Sequence, residues 1–284
     1  MRSGLKWGLM ALMVLCPLLG SAQELLVKDG QKIAFLGDSI TQGGQGSPLG
    51  YCQLVISGLK ANGVNAQMIG AGISGHKSND MLARLTKDVL DKKPDWMTLS
   101  CGVNDVWHGE RGVPLDKYKE NITAIVDQAT AAGIKVMILT STMIGEDQPN
   151  ANNQKLAAYN DFLRALAAER KLPLADLNAL MQKTIGEWGP HPGNLLTGDG
   201  VHMNTAGNVM MASGVLTGFG LNADGLAKAR DAWDKIGARV DGPRLSFTLA
   251  QVEALKAAAA KGGKTVGDLL NAALAAALAT LPKP

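Results

Sequence analysis

The strongest constraint on the fold is an alternation of short apolar runs with longer amphipathic stretches between residues 33 and 175. The apolar runs predict strands at residues 33–36, 66–69, 96–100, 134–139 and 172–175. The stretches between them predict helices at residues 49–61, 79–90, 114–131 and 153–169. Strands that alternate with helices form βαβ units, so we expect a parallel sheet with helices on both faces.

The same pattern predicts the location of a site and the division of the chain. In open parallel sheets, ligands bind beyond the carboxyl ends of the strands, so the loops after residues 36, 69, 100 and 139 are the candidates. After residue 219 the pattern is helical alone, with helices expected at residues 223–236, 249–261 and 266–281. We therefore expect one α/β domain at residues 23–222 and a helical extension at residues 223–284. The extension either packs on the domain or offers a surface to a partner.

The first 22 residues have the features of a signal peptide. Arg2 and Lys6 precede an apolar run, and the small residues Gly20-Ser21-Ala22 follow it. The run is short for a membrane span, so we expect cleavage near Ala22, export to the periplasm or beyond, and no membrane span afterwards. A retained N-terminal anchor is the alternative.

Charge and cysteine content exclude several classes of function. The formal net charge is +3, and removing the two cations of the signal peptide leaves +1, too little to indicate nucleic acid as a partner. Cys52 and Cys101 remain after processing; they form a disulfide or stay as buried thiols. The cysteines and histidines lack the spacing of metal ligands, so we expect no metal and no other cofactor.

A serine follows the first apolar run, in the sequence Gly37-Asp38-Ser39. The glycine allows a sharp turn that presents the Ser39 hydroxyl at the carboxyl edge of the sheet. Taken alone, the serine is equally well explained as a helix cap.

A nucleophilic serine needs a base, and the chain holds four histidines. His202 differs from the others because Asp199 stands three residues before it in a glycine-containing turn. A carboxylate at that spacing can fix the imidazole tautomer and stabilise the imidazolium. The alternative is a turn acid beside a helix cap.

Acyl transfer also requires hydrogen-bond donors for the developing oxyanion. The side-chain amide of Asn104 follows the third strand and can reach the same edge as Ser39. The glycine-rich segment at residues 70–75 follows the second strand and offers backbone N–H groups.

Together these segments resemble the sequence blocks of the GDSL/SGNH hydrolases, in the order of that family. They are Gly37-Asp38-Ser39-Ile40, Gly75, Gly102-Val103-Asn104-Asp105 and Asp199-Gly200-Val201-His202. The resemblance implies a three-layer α/β/α, flavodoxin-like fold. It also implies a triad of Ser39, Asp199 and His202, with an oxyanion hole from the N–H groups of Ser39 and Gly75 and the amide of Asn104. Ile40 and Met203 depart from the family pattern without removing a reacting group.

The resemblance further implies a carboxylic ester hydrolase that works through an acyl-serine intermediate. We expect a small acyl group, acetyl in particular, on a carbohydrate, with Asp38 and Trp107 as candidate substrate-binding residues. The alternatives are a lipase or lysophospholipase, a thioesterase-type acylhydrolase, and a catalytically idle carbohydrate-binding protein on the same fold.

Overall fold

The computed structural model describes residues 25–189, 193–236 and 249–280. The expected signal peptide and its cleavage near Ala22 lie outside these residues. Within the described residues, five parallel strands form one sheet: β1 (Lys32–Gly37), β2 (Gln67–Gly72), β3 (Trp96–Ser100), β4 (Lys135–Leu139) and β5 (Leu174–Ala175). Their order across the sheet is β2-β1-β3-β4-β5, which is the flavodoxin-like order.

The central strands are buried because both faces of the sheet carry helices. All five residues of β3 are buried, as are all but the first residue of β1, which explains why both strands are mostly apolar. The helices in chain order are α1 (Ser39–Gly46), α2 (Tyr51–Ala61), α3 (Ser78–Asp88), α4 (Val103–Trp107), α5 (Leu115–Ala131), α6 (Ala151–Arg170), α7 (Leu177–Trp188), α8 (Thr205–Gly218), α9 (Ala223–Trp233), α10 (Leu249–Lys261) and α11 (Val266–Ala279). Helices α3, α5 and α6 contact one another in one set, and α2, α8 and α9 in another. The three-layer α/β/α fold expected from the sequence is confirmed.

Several local expectations were wrong. Residues 70–72, expected in a loop, continue β2; a side chain at Gly72 would collide with the backbone of α1, so glycine permits this close approach. Helix α1 was not among the predicted helices, and its glycines at positions 43, 44 and 46 are poor helix formers. Its N-terminus is stabilised by Asp38, whose carboxylate accepts the N–H of Ile40 at 2.9 Å. Helices α4 and α7 were also not anticipated.

The described chain divides into two compact units, residues 25–236 and residues 249–280. Helix α9 belongs to the first unit, so the helical extension does not begin at residue 223 as expected. The physical reason is its packing on α2: the Trp233 ring donates to the carbonyl of Leu54 at 2.9 Å, and Asn62 donates to that of Gly225 at 2.9 Å. In the second unit, α10 and α11 form a hairpin. None of the helices in the described ranges is both long enough and apolar enough to cross a membrane.

Candidate active site

The strand order places one crevice at the point where the chain reverses direction across the sheet. After β1 the chain moves outward to β2, and it then crosses back to β3 on the other side of β1. In doubly wound sheets, ligands bind outside the carboxyl ends of the strands at such a point. Ser39 follows β1 and Asn104 follows β3, so both lie at this edge.

Ser39 is the first residue of α1. A side chain at Gly37 would collide with Thr41, so glycine lets the chain turn from β1 directly into the helix. Asp38, not Ser39, caps the helix, which leaves the Ser39 hydroxyl free of that role. The N–H of a first helical residue has no acceptor within its helix and can serve an external oxygen.

A chain of hydrogen bonds joins the three residues that the sequence singled out. His202 Nε2 lies 2.8 Å from Ser39 Oγ, and His202 Nδ1 lies 2.6 Å from Asp199 Oδ2. The second Asp199 oxygen accepts the N–H groups of Val201 and His202 at 2.9 and 2.7 Å, which fixes the carboxylate within its own turn. The alternative role as a helix cap falls to Asn204, which caps α8.

The ionisation of Asp199 determines the histidine tautomer. Burial raises the pKa of the Asp199 carboxyl, but hydrogen bonds from the His202 ring and from two backbone N–H groups outweigh it and lower that pKa to about 2. An ionised carboxylate only accepts hydrogen bonds, so the proton between the two side chains belongs to Nδ1 of His202. Nε2 then carries the lone pair that can accept the proton of the Ser39 hydroxyl.

The expected oxyanion donors are connected to each other. The Asn104 side chain is 3% exposed, and its amide donates to the carbonyl of His76 at 3.1 Å. An amide NH₂ group has two donors, so one remains for an incoming oxygen. Gly75 directly precedes His76 in an exposed turn with a φ of 76°, a conformation that favours glycine. This hydrogen bond therefore ties the start of α4 to the turn that holds the Gly75 N–H.

Asp38 and Trp107, the two candidate substrate-binding residues, differ in accessibility. The Asp38 side chain is buried as the cap of α1, which argues against a direct contact with substrate. Burial raises its pKa to about 6 against the opposing hydrogen bond from Ile40, and the Asp105 carboxylate adds to the rise. Trp107, in contrast, is 43% exposed at the end of α4, and its ring lies 6.3 Å from that of His202.

The role of Arg84 was not predicted from the sequence. This largely buried guanidinium, on α3, donates to the carbonyls of Gly37 and Ala71, both at 2.8 Å, and to His76 Nδ1 at 3.0 Å. It thereby ties the end of the serine-bearing strand β1 to the end of β2 and to the turn beside Asn104. The two carbonyl partners, of Gly37 and Ala71, are backbone oxygens, which carry no sequence signal.

The two cysteines of the described residues add no reactive group to this site. Cys52 and Cys101 are both buried free thiols, so the disulfide alternative is wrong. Burial raises the pKa of both thiols, which disfavours the reactive thiolate. Over the described ranges, no group of three or more His, Cys, Asp or Glu side chains could hold a metal ion.

Comparison with known proteins identifies the class of this fold and site. Residues 35–209 match the GDSL-like Lipase/Acylhydrolase family, and this match covers more than half of the chain. The chain belongs to that family, whose characterised relatives are carboxylic ester hydrolases.

Two of the relatives similar in sequence to this chain are esterases. The chain is 26% identical over 213 residues to an acetylxylan esterase of Geobacillus stearothermophilus, an alignment that covers 68% of this chain and 96% of the relative. It is 30% identical over 175 residues to Esterase TesA of Pseudomonas aeruginosa, covering 61% and 79%.

Solved structures agree with these relatives. The crystal structure of Axe2, an acetylxylan esterase from G. stearothermophilus, superposes with a TM-score of 0.63 at 26% identity and covers 69% of this chain and 97% of that one. The acetyl xylan esterase AlAXEase superposes with a TM-score of 0.61 at 34% identity, covering 66% and 98%. Catalytic mutants of Axe2 replace a serine, an aspartate and a histidine, the aspartate three positions before the histidine.

Proposed function

We propose that this esterase removes small acyl groups, acetyl in particular, from carbohydrates through an acyl-serine intermediate. The observation that carries the proposal is the hydrogen-bond chain from Ser39 through His202 to Asp199. The same three residue types, with the same spacing of aspartate and histidine, are the targets of the catalytic mutants of Axe2.

The proposed reaction has two halves. Ser39 Oγ attacks the ester carbonyl while His202 Nε2 takes the hydroxyl proton, and Asp199 stabilises the imidazolium that forms. The carbonyl oxygen, now negative, accepts hydrogen bonds from the N–H groups of Ser39 and Gly75 and from the Asn104 amide. The tetrahedral intermediate collapses, its C–O bond to the alcohol breaks, and the alcohol leaves with the proton from His202. Water then repeats these steps on the acyl-serine and releases the acid.

The substrate class is supported by Trp107 and by the relatives. An exposed indole ring close to His202 offers a flat apolar surface on which a sugar ring can stack. The acetylxylan esterases among the relatives act on acetylated sugar polymers by name.

A hydrolysis panel tests the substrate class. We expect p-nitrophenyl acetate to be turned over faster than longer acyl esters, and acetylated xylooligosaccharides to release acetate. Faster turnover of long-chain esters would favour a lipase or thioesterase, and sugar binding without turnover would favour an idle binding protein.

Two exposed tryptophans of the described residues, Trp107 and Trp188, provide a matched pair of variants. Trp107→Ala should raise KM for acetylated xylooligosaccharides more than for p-nitrophenyl acetate, because only the first substrate has a sugar to stack. Trp188→Ala, which removes a 67% exposed tryptophan from the end of α7, should leave both KM values unchanged. Equal effects of Trp107→Ala on both substrates would contradict the stacking role.

We also propose that the chain is exported and that its signal peptide is cleaved near Ala22. Arg2 and Lys6, the apolar run and the small residues at positions 20–22 support this. N-terminal sequencing of the protein recovered outside the cytoplasm should begin at or close to Gln23, whereas an intact Met1 would contradict export by cleavage.

A further inference from the structure

A second polar centre lies beside the turn that bears Asp199 and His202. Glu146 follows β4, and its carboxylate accepts four hydrogen bonds from one three-residue segment. The N–H of Leu195 donates to Oε2 at 2.7 Å. The N–H groups of Leu196 and Thr197 donate to Oε1 at 2.9 and 2.8 Å, and the Thr197 hydroxyl donates to the same oxygen at 2.7 Å.

This segment forms one arm of the turn that holds the acid and the base. Thr197 pairs with Met203 in an isolated antiparallel bridge, and the N–H of Gly198 donates to the carbonyl of His202 at 2.9 Å. These two connections close the turn that contains Asp199 and His202. Any movement of the arm therefore moves the His202 ring relative to Ser39.

The Glu146 loop also holds the tip of the turn. The N–H of Gly145 donates to the carbonyl of Gly200 at 2.7 Å, and the N–H of Gly200 donates to the Thr197 hydroxyl oxygen at 3.1 Å. Glu146 and its neighbour thus contact both the arm and the tip.

The loop itself is fixed from helix α6. Asn153 accepts the N–H of Ile144 at 2.8 Å, and its amide donates to the carbonyl of Gly145 at 3.0 Å. Asn150, the cap of α6, donates to the carbonyl of Ile144 at 2.9 Å. Helix α6 therefore holds in place the loop that carries the Glu146 carboxylate.

From this geometry we infer that Glu146 is a positioning residue that holds the Asp199–His202 turn at hydrogen-bond distance from Ser39. The inference rests on the proposed function of those three residues. Hydrogen bonds to an ionised carboxylate are stronger than neutral ones, and here all four converge on one short segment. Glu146 acts through the turn and reaches neither Ser39 nor the His202 ring in this arrangement.

Two variants of Glu146 remove all or some of these contacts, and a third variant, at Asp147, is the control. Glu146→Ala removes all four acceptor contacts. Glu146→Gln can keep an oxygen at the Oε1 position, where three of the four donors point, and should restore part of the loss. Asp147→Ala is the matched control, because this exposed neighbouring carboxylate takes no part in the contacts with residues 195–197.

The first readout is spectroscopic and does not depend on any substrate. The short His202 Nδ1 to Asp199 contact should give a downfield imidazole N–H proton resonance, assigned by its absence from His202→Ala. We expect this resonance to shift or broaden in Glu146→Ala, to do so less in Glu146→Gln, and to stay unchanged in Asp147→Ala. A wild-type resonance in a folded Glu146→Ala protein would overturn the inference.

The second readout is the division of the effect between kcat and KM. We expect kcat on p-nitrophenyl acetate to fall about 10²-fold in Glu146→Ala, the effect of misplacing a catalytic group by about 1 Å, with KM nearly unchanged. Unchanged kcat would overturn the inference. If the wild-type protein lacks esterase activity altogether, the proposed function fails while the resonance still tests the positioning role.

If Glu146→Ala does not fold, a milder variant can be measured in its place. Thr197→Val removes the hydroxyl that donates to Glu146 and accepts from Gly200, without a large change in volume. The same shift of the His202 resonance is expected at smaller size, and its absence would count against the inference.

Discussion

Replacement of Asn104 by alanine separates a catalytic role from a structural one. The Asn104 amide is buried at the carboxyl edge of β3, and one of its two N–H groups donates to the carbonyl of His76. The other donor is the one proposed to stabilise the oxyanion. Losing one such donor typically lowers kcat by about 10²–10³-fold, or ~2.7–4 kcal/mol of transition-state stabilisation. KM should change little, because the substrate carbonyl gains its negative charge only in the transition state.

The same substitution has a separate cost in stability. It leaves the His76 carbonyl without its partner, which lowers the free energy of unfolding by ~1–3 kcal/mol. The assay measures kcat and KM on p-nitrophenyl acetate, and urea denaturation measures the stability. A protein that loses stability but keeps wild-type kcat would refute the oxyanion role.

A second buried asparagine provides the control. Asn178, on α7, is 7% exposed and accepts hydrogen bonds from Gln182 and Arg164. Asn178→Ala should lower the stability by a similar amount and leave kcat unchanged. A large loss of kcat in both variants would mean that the effect of Asn104→Ala is a general consequence of destabilisation.

Four further predictions concern the side chains of Asp199, Asp38 and Arg84 and the deletion of residues 239–284. Asp199→Asn should lower kcat by about 10⁴-fold, because the amide favours the wrong His202 tautomer; steady-state kinetics that stay near wild type would contradict the role. Asp38→Asn should raise the free energy of unfolding more at about pH 8 than at about pH 4. Burial raises the pKa of this carboxyl above its unfolded value of 3.8 to about 6, so wild-type stability is lost as the pH rises between these values. Urea denaturation at both pH values measures the difference, and an equal gain at both would contradict the buried charge. Arg84→Gln should lower both Tm and kcat, since it releases the ends of β1 and β2 from each other; unchanged values of both would show that these hydrogen bonds are not needed. Deleting residues 239–284 should leave kcat/KM on p-nitrophenyl acetate within about tenfold, a change of about 1.4 kcal/mol, and a folded but inactive truncation would show that the extension shapes the site.

The sequence was informative wherever a local pattern determines the local structure. The position of β3 follows from a mostly apolar run and that of α10 from an alanine-rich run, and their predicted bounds agree with the structure. Ser39 and Asn104 could be placed at one edge because each directly follows a strand of a parallel sheet. The three-residue spacing of Asp199 and His202, together with the family resemblance, predicted their contact.

The sequence did not predict the features of the structure that depend on tertiary contacts. Helix α1 forms despite its glycines, and its Thr41 hydroxyl is hydrogen-bonded to the Tyr51 hydroxyl of α2 at 2.9 Å. The roles of Arg84 and Glu146 depend on backbone atoms from segments about 10 to 50 residues away, and backbone atoms leave no pattern in a sequence. The placement of α9 with the first unit depends on the hydrogen bond from Trp233 across to α2, which no local pattern reports.

Labelling of the nucleophile tests the central claim most directly. A fluorophosphonate reacts with a serine hydroxyl that a neighbouring base activates, and mass spectrometry of the digested protein locates the label. We expect stoichiometric modification of Ser39 in the wild-type protein, much slower modification in His202→Ala, and none in Ser39→Ala, with all three proteins folded by circular dichroism. Labelling that persists in Ser39→Ala, or that maps to another serine in the wild-type protein, would contradict the assignment of Ser39 as the nucleophile.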